Sequence, residues 1–218
     1  MTEAINLKEL EKKAFRSTFQ DGLWDIFLGI ILMAMAVNTL LSRIGVSELE
    51  TMAVFIGLEV VAIIVLIASK KRITVPRIGH VKFSPKRRAK LTKVRLVLAL
   101  SVIVGLVVFV AVTAMRGNAS GIMSPGILFP LGWMVNALII FGLIAYFMDF
   151  PRLYIIGILY AITLPIDSAL HELAGIKITY IVFGIPAIII LVMGFVILSI
   201  FCVTIHYRLR RWNHDSTN

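Results

Sequence analysis

The chain has 218 residues, 59% of them hydrophobic, and a formal net charge of +10. Ordinary soluble domains are about 45–50% apolar, so this composition argues against a soluble globular protein. The basic residues lie at the ends of apolar runs rather than among aromatic platforms, which excludes nucleic acid as the expected partner. The single cysteine, Cys202, lies in an apolar run, which excludes a disulfide framework and a cysteine metal site.

The N-terminal segment, residues 1–22, is charged but patterned. Leu7 and Leu10 recur at helical spacing, and Phe15 and Phe19 form an apolar pair one turn apart beside them. We expect an amphipathic helix that lies along the inner membrane surface, with Lys and Arg on its polar side. A solvated helical tail is the alternative.

Residues 23–212 predict a single all-α membrane domain, a bundle of six transmembrane helices. A membrane span needs about 20 mainly apolar residues, and six runs reach that length or come near it. The expected spans cover about residues 24–42, 48–69, 93–115, 127–148, 152–172 and 179–206, and a polar tail follows at 213–218. Two helix starts have clear signals. Ser47 with Glu50 is a capping box that starts the second helix near Glu48, and Ser84 followed by Pro85 starts the third helix at Pro85.

The connection between the second and third spans is strongly basic. Of the 26 residues 70–95, 11 are Lys or Arg and none is acidic. Juxtamembrane Lys and Arg resist translocation, so the loop 70–92 is assigned to the cytoplasm. Counting along six spans then places 19 of the 22 basic residues inside and three outside, namely Arg43, Arg116 and Lys177. Both termini are expected inside, in a prokaryotic cytoplasmic membrane by default, because no eukaryotic targeting signal is recognisable.

The basic loop has features of its own. Residues 73–75 and 81–83 flank a turn signal from Pro76 to Gly79, which predicts a small β-hairpin. Cations at the start of the third helix oppose the helix dipole, so we expect them to bind anionic lipid headgroups. These cations are Lys86, Arg87, Arg88, Lys90 and Lys93. The alternatives are a topology signal alone or a docking site for an acidic partner domain.

Glu59 is the sharpest chemical signal in the sequence. It lies near the middle of the second span, where an ionised side chain costs roughly 3 kcal/mol. Asn136 is expected at a similar depth in the fourth span, as a partner for Glu59, and Asn38 nearer the outer face. Glu59 is therefore a candidate proton or cation site. The alternative is a protonated carboxyl that holds a neighbouring helix by a hydrogen bond.

Two carboxylates, Asp21 and Asp25, lie one helical turn apart at the inner end of the first span. They can bind a cation or steer a substrate. The surplus of Lys and Arg on the inner side favours ion pairing instead, and the start of a helix stabilises negative charge. Asp149 and Arg152 are expected to form a similar pair across a tight turn.

The densest polar group on the outer side is Asp167, His171 and Glu172. Asp167 and His171 share a helix face at i, i+4 spacing, which can chelate a metal. The HExxH zinc motif requires a second His where this chain has Gly175. A solvated helix end is therefore favoured, and we predict no metal and no cofactor.

Two classes of function remain open. The first is a small transporter or channel component with Glu59 in its pathway. The second is a non-catalytic membrane subunit or scaffold, which binds anionic lipid or a cytoplasmic partner through the basic loop and is open to homo-oligomerisation. No catalytic constellation is recognisable, so a membrane enzyme ranks third. A central carboxylate is expensive to retain for structure alone, which favours transport.

Overall fold

The structure is a computed structural model and describes residues 21–74, 85–114, 125–175 and 177–215. These ranges contain six α-helices and no strand. The helices are α1 Leu23–Arg43, α2 Glu48–Ser69, α3 Pro85–Ala114, α4 Pro125–Met148, α5 Arg152–Ala174 and α6 Thr179–Asp215. Each contains a stretch of 20 to 26 residues that is long and apolar enough to cross a bilayer. The described residues therefore indicate a polytopic membrane protein.

Two predicted helix starts are present in the structure. Ser47 Oγ accepts a hydrogen bond from the Glu50 amide, and Glu50 Oε2 accepts one from the Ser47 amide, which is the reciprocal capping box. α3 begins at Pro85, ahead of its apolar stretch. The predicted amphipathic N-terminal helix lies outside the described residues, except for Asp21 and Gly22.

The chain after α2 differs from the prediction. Lys70–Thr74 continue α2 as one π-helical turn, so Ile73 and Thr74 do not belong to a strand and the predicted hairpin is wrong there. Lys70 contacts the start of α1, with its Nζ atom 5.3 Å from the ring centroid of Trp24. Lys70 also forms an ion pair with Asp21, so the first residue of the turn after α2 is held at the start of α1. The other hairpin residues, 75–83, lie outside the described part of the chain.

The helices pack in an order that differs from their order in the sequence. α1 packs against α2 and α6, α5 packs against α4 and α6, and α3 packs against α4. Across the bundle the order is therefore α2, α1, α6, α5, α4, α3. The outer helices present apolar side chains away from the bundle, among them Ile63 on α2 and Val102 on α3. Such surfaces suit contact with lipid.

Close approach of α1 and α6 depends on glycine. Gly22 has a φ of +77°, and a Cβ atom there would lie 2.5 Å from the carbonyl oxygen of Gly194. A Cβ on Gly194 would in turn lie 2.8 Å from the amide nitrogen of Ile26. Small residues at contacts between membrane helices let the two backbones approach closely. The position of the α1 start against α6 is thus set by the absence of side chains.

The helices alternate in direction, which gives the bundle two distinct ends. Asp21, the π-helical turn, the start of α3 and the α4–α5 turn lie at one end, which we call the basic end. The α1–α2 loop and the α5–α6 junction lie at the opposite end. There Arg43 donates a hydrogen bond to the Lys177 carbonyl at 3.1 Å and lies over the ring of Tyr180.

Candidate functional site

Two buried carboxylates form the part of the candidate site nearest the basic end. Asp21 and Asp25 are both 0% exposed. Asp21 Oδ1 accepts a hydrogen bond of 3.1 Å from the Leu23 amide, where α1 begins. Asp25 lies in the first turn of α1, where the helix dipole stabilises negative charge. Both carboxylates are therefore positioned by the start of α1.

Each carboxylate is paired with a cation from another helix or turn. Lys70 Nζ lies 3.7 Å from Asp21 Oδ2, and Arg152 Nη1 lies 3.1 Å from Asp25 Oδ2. The ion pairing that the surplus of Lys and Arg favours is therefore present. The two pairs join α1 to the end of α2 and to the start of α5. A buried charge without a partner is costly, so each ion pair depends on both of its members.

The α4–α5 turn connects to two different helices. Arg152 begins α5 and reaches Asp25 on α1, while Asp149 Oδ2 lies 3.6 Å from Lys90 Nζ on α3. The sequence predicted Asp149 and Arg152 as partners of each other across the turn. In the structure each one forms an ion pair with another helix. The Arg152 guanidinium also lies 5.1 Å from the ring centroid of Phe150, a cation–π distance.

Tyr160 is a buried polar residue near the centre of the bundle, two turns along α5 from Arg152. It is 5% exposed, and its hydroxyl donates a hydrogen bond to the Leu28 carbonyl of α1. Its own carbonyl accepts hydrogen bonds from Trp133 Nε1 at 2.9 Å and from Thr163 Oγ1 at 2.8 Å. Tyr160 therefore connects α1, α4 and α5. The sequence gives no signal for this role, because a tyrosine in an apolar run is ordinarily a packing or interfacial residue.

Glu59 lies halfway along α2, 11 residues after Glu48 and 10 before Ser69. Its side chain is half-buried, and Oε1 is shielded and has no hydrogen-bond partner within the described residues. The Tyr160 phenol lies within electrostatic range of the Glu59 carboxylate. The bundle therefore shields one oxygen of the Glu59 carboxyl group from solvent.

These side chains follow a path from the basic end to the middle of the bundle. Asp25 and Leu28 are three residues apart on α1 and so lie on one helix face, and Asp21 precedes the helix at the same end. Lys70 and Glu59 are 11 residues apart, about three turns, and so lie on one side of α2. We call this set the polar line. It consists of Asp21, Lys70, Asp25, Arg152, Tyr160 and Glu59.

Asn136 is separated from Glu59 in the structure. It lines a cleft of about 350 Å³ between α3 and α4, together with apolar residues such as Val104 and Ile139. α2 packs on α1, on the other side of the bundle, so the predicted pairing of Glu59 with Asn136 is wrong. Two residues at the same depth in different spans need not be neighbours, because their depth does not tell which helices lie side by side. Asn38 is half-buried near the end of α1, where its carbonyl accepts a hydrogen bond from Ser42.

The outer polar group lies on the last two turns of α5, at the opposite end of the bundle from Asp21. Asp167 is half-buried, and His171 and Glu172 are exposed. Among the residues that the structure describes, no three His, Cys, Asp or Glu side chains come close enough to hold a metal ion. The structure thus leaves this group apart from the polar line.

Of the five cations expected to bind lipid headgroups, the structure describes the side chains of two. Lys90 pairs with Asp149, and Lys93 Nζ lies 5.8 Å from the ring centroid of Phe147. Both side chains therefore contact the end of α4 or the turn after it. The backbone of Lys86, Arg87 and Arg88 is in the first turn of α3, and their side chains lie outside the described part.

Comparison of the chain with family models, curated proteins and solved structures finds no match. What the polar line can do chemically therefore has to be inferred from the residues that form it. A carboxyl group within a membrane span can take up and release a proton, and a neighbouring phenol can donate or accept a hydrogen bond. Buried ion pairs hold helices together and separate only when both charges find new partners.

Proposed function

We propose that the protein is a small membrane transporter or channel component in which Glu59 binds and releases a proton or another small cation. The observation that supports this best is the Glu59 Oε1 atom, which is shielded and accepts no hydrogen bond within the described residues. A carboxyl kept as structural glue would be expected to use its oxygens on a neighbouring helix. A carboxyl that exchanges a cation needs an oxygen free to receive it.

The surroundings of Glu59 also support this proposal. Tyr160 is fixed by hydrogen bonds to two other helices and lies within electrostatic range of the carboxylate. Ionisable residues within membrane spans usually face the bundle interior and mark ion or proton pathways. The shielded Glu59 oxygen and the buried Tyr160 side chain agree with this pattern, which supports the proposal. We further propose that the basic end faces the cytoplasm, since 19 of the 22 Lys and Arg are assigned to that side.

The test is cation flux in vesicles that contain the purified protein. A pH-sensitive dye inside the vesicles reports proton entry under an imposed membrane potential, and a sodium gradient at constant pH reports sodium entry. We expect the wild-type protein to exceed empty vesicles in one of these assays and Glu59→Gln to lower that flux at least tenfold. Glu48→Gln, a neutralised exposed carboxylate at the start of the same helix, is the matched control.

Two outcomes would count against transport. Wild-type flux equal to that of empty vesicles in both assays removes the proposal. If neither Glu59→Gln nor Glu48→Gln changes the flux, Glu59 is not part of the pathway. Flux that only Glu59→Gln abolishes supports the proposal.

The alternative is a non-catalytic membrane subunit or scaffold that binds anionic lipid, or a cytoplasmic partner, through the basic loop. The observation in its favour is the position of α3. Within the described residues α4 is the one helix on which α3 packs extensively, and α3 carries five cations over its first nine residues. Neutralising Lys86, Arg87, Arg88, Lys90 and Lys93 to Gln should then remove bound anionic lipid in native mass spectrometry. Flux should stay at the level of empty vesicles.

A further inference from the structure

The seam between α1 and α5 has an unusual composition. α1 packs extensively on α2 and α6, and α5 packs extensively on α4. α5 has a smaller contact with α6, and within the described residues its backbone contact with α1 is smaller still. The contacts that cross the seam within the described residues include two polar ones. They are the ion pair of Asp25 with Arg152 and the hydrogen bond from Tyr160 to the Leu28 carbonyl.

The seam lies between the basic end and Glu59. The ion pair stands nearer the basic end, Tyr160 comes two turns further along α5, and the Glu59 carboxylate is within electrostatic range of Tyr160. Asp25 is 0% exposed, and Ile156, one turn along α5 from Arg152, is also 0% exposed. In this conformation the seam is therefore shielded from solvent around Asp25.

Polar contacts differ from apolar packing in how they separate. Interdigitated apolar side chains hold helices over their whole contact length, whereas an ion pair and one hydrogen bond can each exchange a protein partner for water or a cation. Asp25 Oδ1 is shielded and accepts no hydrogen bond within the described residues, so this carboxylate has capacity for a second ligand beside Arg152.

We propose that the Asp25–Arg152 ion pair is the gate that closes the basic-end route to Glu59, and that Tyr160 is a positioning residue that holds the same seam shut nearer the bundle centre. This inference rests on the proposed function, since it assigns the gate of the same cation pathway. Opening requires Arg152 to leave Asp25 and the Tyr160 hydroxyl to leave the Leu28 carbonyl.

The test measures access to position 59 and does not depend on flux. Glu59→Cys is introduced together with Cys202→Ala, so that the new thiol is unique, and a membrane-impermeant thiol reagent is added from the basic end. The gate is removed by combining Asp25→Asn with Arg152→Gln, which deletes both charges and leaves a neutral amide at each position. We expect this combination to raise the labelling rate at least tenfold over the protein with an intact pair.

The chain offers a matched control at the same end. Lys90→Gln with Asp149→Asn removes the other ion pair of the α4–α5 turn, which lies outside the α1–α5 seam. Labelling should stay within twofold of the parent for this control. Labelling that is unchanged when the seam pair is removed, or that rises equally in the control, overturns the proposal.

A second variant keeps the test decisive if the doubly neutralised seam does not fold. Tyr160→Phe removes one hydroxyl from the seam and leaves the ion pair intact. We expect a smaller increase in labelling, about threefold to fivefold, and no increase overturns the role of Tyr160. The two proposals can fail separately. If wild-type vesicles show no flux but labelling still depends on the seam pair, the transport function is removed and the closed seam is retained.

Discussion

At the scale of single residues, the Asp25–Arg152 pair illustrates how charge is tolerated within this bundle. Asp25 is shielded from solvent, its partner comes from another helix, and the first turn of α1 adds the favourable field of the helix dipole. Removing one member leaves the other charge buried alone, which costs far more than removing both. The pair is therefore a unit.

This cost can be measured by thermal or denaturant unfolding in detergent. Arg152→Gln should lower the free energy of unfolding by about 3–5 kcal/mol, because it leaves the Asp25 carboxylate without its cation. Adding Asp25→Asn should restore most of the loss. Lys90→Gln, which breaks a partly exposed ion pair, should cost less than about 1 kcal/mol. Equal losses for Arg152→Gln and Lys90→Gln would show that burial does not decide the cost.

The charged members of the site can be recognised from the sequence, but not all of their contacts can. Glu59, Asp21 and Asp25 stand out because each is a charge within or beside an apolar run. Tyr160 gives no such signal, since its importance comes from the carbonyl of Leu28 on a distant part of the chain. Pairing also depends on which helices are neighbours, and this is why the assignment of Asn136 to Glu59 is wrong.

At the scale of the helices, glycine determines how closely α1 and α6 approach. The glycine at position 194 leaves room for the backbone of α1 at Ile26, and the one at position 22 adopts a backbone conformation that side chains rarely allow. Span lengths and helix caps can be predicted from apolar runs and local motifs. Lateral neighbours cannot, because these helices are apolar on most faces and the pairing depends on small residues far apart in the sequence.

Gly194→Ala tests this contact. The added Cβ would lie 2.8 Å from the Ile26 amide nitrogen, so one helix has to move away, and we expect a loss of about 1–3 kcal/mol in the free energy of unfolding. Gly57→Ala is the matched control in α2, where an added Cβ meets nothing within 4 Å. That change should be neutral or stabilising by about 0.5–1 kcal/mol, because alanine favours helix over glycine. The opposite ranking would contradict the packing.

At the scale of the whole molecule, the uneven distribution of Lys and Arg predicts the orientation in the membrane. Lys71, in the π-helical turn, and Glu48, at the start of α2, are exposed at opposite ends of the same span. With Cys202 replaced by alanine, a cysteine at either position is a unique label site. In intact cells, an impermeant thiol reagent should label Glu48→Cys and spare Lys71→Cys. The reverse pattern would invert the bundle and the direction of the proposed gate.

The length of α6 has a consequence outside the membrane. The helix has 37 residues, which at 1.5 Å per residue extend for about 55 Å, whereas the hydrocarbon layer is about 30 Å thick. Since α6 starts near the end opposite the basic end, we expect its final turns to extend beyond the headgroups on the side of the basic end. A fluorophore attached at Asp215 should therefore be quenched readily by iodide in the aqueous phase and poorly by spin labels carried on acyl chains.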